Sequence, residues 1–179
     1  MFLTRLLISL FEFGLMVVMS GFIIFLTYRI FIRANPDFDM EEEIRKGNAA
    51  VGVLVSAIVF SASLILQKGL GAVVSMFRLH VSAPEGSALP LWQLQLLTLG
   101  HLLLCLLLAV FTISLTLRLF GKLTRRMKLG AELQKGNIAV GMLLGIVVVV
   151  SALYVGEGVS ALTKALVPQP SMGRVQMMP

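Results

Sequence analysis

Four ionisable side chains lie within long apolar stretches or just beyond their ends, where charged groups are rare and mark functional sites by default. They are Glu12, Lys68, His101 and Glu157. We expect one acid–base pair in the first half of the chain, Glu12 with Lys68, and one in the second, His101 with Glu157, both near the outer membrane face. A histidine beside a glutamate would also respond to pH. Two alternatives stay open, namely groups that simply reach headgroups and water, and an ion or proton path.

The other residues with catalytic chemistry form no recognisable site. Cys105 is the single cysteine and lies in a Leu-rich stretch, where a buried, inert thiol is expected. The two histidines, His80 and His101, lie on different segments, and no Cys/His cluster has zinc-site spacing. No Gly-rich phosphate loop and no Ser/His/Asp set can be assembled. We therefore expect no enzyme activity, no cofactor and no bound metal.

A polar motif occurs twice in the chain. Residues 43–54 read EIRKGNAAVGVL and residues 132–143 read ELQKGNIAVGML, so 8 of 12 positions are identical at an offset of 89 residues. The same offset aligns the ends of two long apolar stretches. The sequence therefore predicts two copies of one helix–loop–helix unit.

The polar positions of this motif have the residue types that start a helix at a membrane surface. They are Glu43, Lys46, Gly47 and Asn48, and then Glu132, Lys135, Gly136 and Asn137. Asparagine caps helix N-termini, lysine reaches headgroups and glycine allows a bend. The glutamates would pair with the lysines or help to cap. The motif is then either purely structural or part of a cytoplasmic vestibule or docking rim.

Small residues follow each motif along one helix face. They are Gly52, Ser56 and Ser63 after the first motif, and Gly141, Gly145, Ala152 and Gly156 after the second. Small residues let helices approach closely in lipid. We expect the second and fourth spans to meet along this stripe as a central pair. A subunit contact in a homo-oligomer and the lining of a narrow pore are the alternatives.

Composition places these residues in a membrane. Of the 179 residues, 58% are hydrophobic and 13% are charged, whereas soluble domains have about 25% charged residues. Four stretches are long enough to cross a hydrocarbon core of ~30 Å, and they are 6–28, 49–66, 96–117 and 138–155. The predicted fold class is an all-α integral membrane protein with four transmembrane helices, arranged as two parallel helix–loop–helix repeats.

Basic residues orient the spans. Ten of the 15 lysines and arginines fall in the first and third loops, which the positive-inside rule places in the cytoplasm. Both termini and the second loop then lie outside the cytoplasm. We expect a first two-span repeat (1–81), an outer connector (82–90), a second repeat (91–167) and a C-terminal tail (168–179). Residues 69–81 would either extend the second span or lie on the membrane surface.

The duplicated E-(I/L)-x-K-G-N-x-A-V-G motif on a four-span chain resembles the YjfL-like family of bacterial inner-membrane proteins of unknown function. The resemblance covers nearly the whole chain and implies a bacterial inner-membrane location without a specific activity. Genes of that family often lie near those of membrane-stress proteins related to phage-shock protein A and of glutathionylspermidine-type enzymes. The resemblance therefore implies a cytoplasmic partner of the phage-shock type.

Two functions fit these features. The first is a homo-oligomeric membrane scaffold that docks a cytoplasmic stress-response partner. The alternative is an ion channel or small-solute pore formed by the oligomer, which would need a continuous polar path. The net charge of +6 is mostly the topology signal and favours contact with anionic lipid. It does not indicate nucleic-acid binding, because no soluble domain exists to carry a groove.

Overall fold

The computed structural model describes residues 2–32, 39–82 and 90–166, and every regular element in this part of the chain is a helix. The α-helices are α1 (Phe2–Thr27), α2 (Met40–Arg45), α3 (Ala49–Ser82), α4 (Leu91–Leu123), α5 (Leu129–Gln134) and α6 (Ile138–Leu166). A π-helical turn, Tyr28–Ile32, follows α1, and a 3₁₀ turn, Arg125–Met127, precedes α5. The predicted tail and most of the predicted connector lie outside the described residues.

Three of these helices are long and apolar enough to cross a membrane. The apolar stretches are Ala49–Phe77 of α3, Trp92–Leu123 of α4 and Ile138–Leu162 of α6. A shorter apolar helical stretch, Met16–Phe31, lies at the end of α1 and in the turn after it. The helix α3 runs without a break through residues 69–81, so this segment extends the second helix. The architecture is that of an all-helical membrane protein.

The helices α3 and α6 run parallel and pack against each other along their length. The backbone of Ala50 lies beside Gly141 near their starts, and Lys68 lies beside Glu157 farther along. The helix α4 runs antiparallel to α3, because its Cys105 lies against Gly69 of α3, whereas the later Leu117 shares a cleft with the earlier Leu54. The helix α1 also contacts α3. Three helices therefore surround α3, and their contacts fix its orientation.

Apolar side chains fill the interior in two clusters. One lies near the starts of α3 and α6 and includes Leu54, Ile58 and Ile113, all at most 2% exposed. The other lies farther along the bundle around Ile65 and Cys105. Large apolar side chains also cover much of the outer surface of α1 and α4, as helices that contact lipid require. In lipid such helices are held together by close packing and polar contacts, so the small and polar residues between them decide the arrangement.

Candidate functional site

The first polar motif forms a hydrogen-bonded unit where α3 begins, at an end of the bundle that we call the motif end. The Glu43 carboxylate accepts hydrogen bonds from Lys46 Nζ at 3.1 Å and from Asn48 Nδ2 at 2.9 Å. Asn48 Oδ1 accepts from the backbone N–H groups of Ala50 and Val51 at 3.1 and 3.3 Å. Asn48 therefore caps α3, because its side chain satisfies amides that have no partner within the helix.

The second motif has the same arrangement where α6 begins. The Glu132 carboxylate accepts from Lys135 Nζ at 2.8 Å and from Asn137 Nδ2 at 3.1 Å. Asn137 Oδ1 accepts from the backbone N–H of Val140 at 3.4 Å. Both motifs therefore have a capping asparagine whose amide is held by a glutamate, and that glutamate also pairs with a lysine.

Gly47 and Gly136 turn the chain between a short helix and the long helix that follows. Their φ angles are +81° and +80°, in a region that costs glycine little and other residues more. The N–H of Gly47 donates to the Ile44 carbonyl at the end of α2, and that of Gly136 donates to the Leu133 carbonyl at the end of α5, both at 2.9 Å. The predicted bend is thus a left-handed C-cap, the usual place for glycine after a helix.

One side chain joins the two motifs. Asn48 Nδ2 donates to the backbone carbonyl of Leu133 at 2.8 Å, and the Gln134 carbonyl lies 3.4 Å away. Within the described part of the chain, the Asn137 side chain bonds only to its own motif. Asn48 therefore has a second role that Asn137 lacks, since it holds α5 against the start of α3.

Hydrogen bonds keep the motif glutamates ionised. The bond from Asn48 lowers the pKa of the Glu43 carboxyl below its ordinary value, and Lys46 lowers it further. For Glu132 the bond from Lys135 lowers the pKa most, followed by the bond from Asn137. Both glutamates therefore accept hydrogen bonds as carboxylates from the lysine and the asparagine of their own motif.

The small residues of α6 lie in its contact with α3. A Cβ atom at Gly141 would meet the backbone of Ala50, and one at Gly145 would lie 3.1 Å from the Ala57 methyl group. Ala152, farther along the same face, is fully buried. This part of the predicted stripe is therefore where the two helices approach each other most closely.

The corresponding small residues of α3 face away from α6. A Cβ atom at Gly52 would have no neighbour within 4 Å, Ser56 is exposed and Ser63 is partly buried. The hydroxyls of Ser56 and Ser63 donate to carbonyls of their own helix at 2.8 Å. The prediction that both stripes meet is therefore wrong for α3. Its contacts with α1, α4 and α6 turn a neighbouring face, with Ala50 and Ala57, towards α6.

An ion pair joins α3 to α6 well beyond their starts, within the apolar stretches Ala49–Phe77 and Ile138–Leu162. Lys68 Nζ donates to Glu157 Oε1 at 2.8 Å, and a Cβ atom at Gly156 would lie 3.7 Å from Lys68 Cγ. The sequence pattern pairs Lys68 with Glu12 and Glu157 with His101, and it does not predict this contact between α3 and α6. Lys68 and Glu157 meet because parallel α3 and α6 bring residues at equivalent positions side by side. The side chain of Glu12 lies outside the described part of the structure.

His101 lies inside the bundle and is 6% exposed. Its Nε2 atom is 3.6 Å from the Cys105 Sγ atom, and both side chains face Gly69 of α3. A Cβ atom at Gly69 would overlap the Cys105 thiol, so this glycine permits the close approach of α3 and α4. Among the residues that the structure describes, no group of three His, Cys, Asp or Glu could hold a metal ion.

Sequence reasoning missed a cleft at the motif end. It has a volume of about 570 Å³ and lies between α3, α4, α5 and α6, and Arg125 and Lys128 are among its lining residues. From the sequence these two residues contribute to the orientation of the chain and to a general contact with anionic lipid, without a defined binding site. The sequence feature that could have indicated the cleft is the group of basic residues between Gly121 and Gly130. These two glycines also line the cleft.

Comparison with known proteins gives a family without an activity. Residues 2–159 match the family model described as Domain of Unknown Function (DUF350). No curated protein and no solved structure matches the chain. The matched range runs from α1 into α6 and contains both polar motifs, the small-residue stripes and the Lys68–Glu157 ion pair. The chain therefore belongs to the DUF350 family of domains of unknown function.

Proposed function

We propose that this chain is a bacterial inner-membrane scaffold that homo-oligomerises and docks a cytoplasmic stress-response partner on its motif end. The observation that carries the proposal is the hydrogen bond from Asn48 to the Leu133 carbonyl. It joins two capped and ion-paired motifs into one platform at the end of an otherwise apolar bundle. A rigid polar platform suits docking, because its side chains lose little conformational freedom when a partner binds.

Four spans in two parallel repeats form the membrane part of the proposed scaffold. The helix α1 supplies the first span, and matching hydrogen bonds at Asn48 and Asn137 support the duplication. The excess of basic residues in the first and third loops puts the motif end in the cytoplasm and both termini outside it. A partner from the cytoplasm therefore reaches the motif end directly.

A second copy of the chain packs, in this proposal, on the face of α3 that contains Gly52 and Ser56. The equivalent residues of α6, Gly141 and Gly145, already make a close helix–helix contact. On α3, Ser56 is exposed, and a Cβ atom at Gly52 would have no neighbour within 4 Å among the described residues. Small residues are the usual packing surface between helices in lipid, which supports self-association through this face.

Acidic and basic residues at separate places on the motif end support the docking of a partner in one orientation. The helix α2 exposes Glu41 and Glu42, whereas the turn before α5 exposes Arg125 and Arg126. Opposite charges at separate places select the orientation of a partner more than they add affinity. The partner implied by the family resemblance is a cytoplasmic protein of the phage-shock type.

A pore formed by the oligomer is the alternative, and the exposed hydroxyl-bearing face of α3 is the observation that favours it. The described interior of one chain consists mainly of apolar clusters, with a few separate polar side chains such as Ser61 and His101. A polar path would therefore have to run between copies, along Ser56 and its neighbours. Electrical conductance of liposomes that contain the protein separates the two functions. A scaffold adds no conductance, whereas conductance that Ser56→Leu abolishes would establish the pore.

The oligomer is tested by mass measurement in nanodiscs. The wild type is expected at a multiple of 19.5 kDa, and Gly52→Leu should shift it towards the monomer by blocking close approach. Gly100→Leu is the matched control, because a Cβ atom at Gly100 of α4 also has open space around it. A monomeric wild type, or equal loss in both variants, would rule out this interface.

Docking is tested with the purified phage-shock-type partner and nanodiscs that contain the scaffold. We expect binding above that of empty nanodiscs, and weaker binding after Glu41→Gln with Glu42→Gln. Gly100→Leu should bind like the wild type. Equal binding to empty and loaded nanodiscs would show that the partner recognises lipid alone.

A further inference from the structure

The cleft at the motif end combines an apolar wall with a basic mouth. Leu54 of α3, Leu117 of α4 and Leu144 of α6 form part of the wall, and the side chains of Arg125 and Lys128 lie at the surface. Leu54 follows Asn48 by six residues, which is a rise of about 9 Å along the helix. The cleft thus leads from the polar end of the bundle to the level of the apolar helix surfaces.

Arg125 and Lys128 have no acidic partner in the described part of the chain. The ion pairs at the motif end are Glu42 with Arg45, and Glu43 and Glu132 each with the lysine of its own motif. From residue 122 to residue 131 the sequence has four basic residues and no acidic one. Two positive charges at the mouth of the cleft are therefore available to an anion.

We propose that this cleft binds one anionic phospholipid of the cytoplasmic leaflet. Its phosphate lies between Arg125 and Lys128, and the adjoining part of an acyl chain lies against the leucine wall. Basic pockets between membrane helices on the cytoplasmic side recognise such headgroups. A free phosphate ion would leave the wall empty, whereas a lipid fills both parts of a cleft of about 570 Å³.

The charge arm of the test uses the full chain in neutral-lipid nanodiscs with a small fraction of phosphatidylglycerol. Native mass spectrometry measures how much of this lipid stays with the protein. Arg125→Gln with Lys128→Gln should weaken retention about thirtyfold, since each basic residue contributes about fivefold. The control, Lys122→Gln with Arg126→Gln, removes the same charge from exposed residues that do not line the cleft, and should retain lipid like the wild type.

The shape arm keeps every charge. Gly121 lines the cleft and a Cβ atom there has open space, so Gly121→Leu should occupy the acyl position and reduce retention. Gly100→Leu, on the same helix but away from the cleft, should not. Thermal unfolding of each variant shows that it is folded, and retention is counted per chain, so the result stands whether or not the chain oligomerises.

Four results would overturn the proposal. Equal loss in the cleft and control charge variants would show a general surface attraction. Equal retention of phosphatidylcholine and phosphatidylglycerol would remove the anion from the recognition. Inorganic phosphate that displaces the lipid and protects the protein equally against heat would make a small anion the occupant. Unchanged retention in the cleft variant, with loss of partner docking, would assign the two charges to an acidic protein surface.

Discussion

Asn48 shows how one side chain can have two functions at once. Its oxygen caps α3, and its amide nitrogen donates both to Glu43 and to the carbonyl of Leu133 in α5. Asn137 has the same sequence context and makes the equivalent bonds within its own motif. Two asparagines in matching motifs therefore differ in their hydrogen-bond partners. The stability of variants at the two positions can measure this difference.

We expect Asn48→Ala to lower the free energy of unfolding by about 2 kcal/mol and Asn137→Ala by about 1 kcal/mol. Each loses a cap, worth ~1 kcal/mol, and only the first loses the bond to Leu133, worth ~1 kcal/mol. Unfolding in mixed micelles with increasing sodium dodecyl sulfate measures both. Serine at each position keeps a cap, so Asn48→Ser should remain impaired while Asn137→Ser recovers. Equal costs at the two positions would contradict the asymmetry.

Acidic pH should weaken the motif end. Because Asn48 and Lys46 lower the pKa of Glu43, and Lys135 and Asn137 lower that of Glu132, the stabilisation is complete above the unfolded-state value of about 4.3. It is lost as the pH falls through the lower folded-state pKa. The melting temperature of the wild type should therefore approach that of the double variant Glu43→Gln with Glu132→Gln on the acid side. A difference that is constant with pH would contradict this assignment.

At the scale of helices, the contact between α3 and α6 depends on which faces meet. Gly141 and Gly145 of α6 face α3. On α3 they pack against Ala50 and Ala57. The parallel pair is therefore not symmetric, although the sequences of the two helices begin alike. The small-residue face of α6 packs against α3 within the chain. The small-residue face of α3, around Gly52, makes no such contact with the other described helices.

Alanine at two equivalent glycines separates these roles. Gly141→Ala should destabilise the chain by about 1–3 kcal/mol, because the new methyl group would overlap the Ala50 backbone. Gly52→Ala should be neutral or stabilising by up to ~1 kcal/mol, because it has open space and removes a flexible residue from a helix. Thermal unfolding in detergent, where chains are separated, measures both. Equal effects would mean that the two faces are used alike.

Local sequence patterns predicted the helices and their starts because those depend on near neighbours. The length of the apolar stretches predicted the long helices. The spacing of Glu43, Lys46 and Asn48 predicted the helix cap and the ion pair beside it. The partner of Lys68 and the face of α3 that meets α6 depend on how four helices rotate against one another. The periodicity of residues within one helix does not determine how that helix is rotated against its neighbours. The partner of Lys68 and the contact face of α3 could therefore be found only from the structure.

At the scale of the whole molecule, the exposed polar groups are concentrated at the motif end of the bundle. That end has two ion-paired motifs and a basic cleft, whereas the Lys68–Glu157 pair lies within the apolar stretches of α3 and α6. Apolar clusters fill most of the described interior. This distribution is consistent with the proposed docking surface at the motif end.

Cysteine labelling should show which side each end faces. In a Cys105→Ala background, a membrane-impermeant maleimide should label Trp92→Cys in intact spheroplasts, because Trp92 is exposed near the start of α4. Lys128→Cys should be labelled only after permeabilisation. The reverse pattern would invert the orientation, and labelling of both sites in intact cells would contradict a single topology.

The lengths of the long helices have a consequence for how their ends meet the membrane. The stretches Ala49–Phe77, Trp92–Leu123 and Ile138–Leu162 have 29, 32 and 25 residues, which correspond to about 44, 48 and 38 Å, whereas a typical hydrocarbon core measures ~30 Å. Each stretch contains charged residues towards its later part, namely Lys68, Arg118 with Lys122, and Glu157. These helices therefore either tilt or extend their charged ends into the headgroup region. The parts that exceed the hydrocarbon core then lie where charged side chains are tolerated.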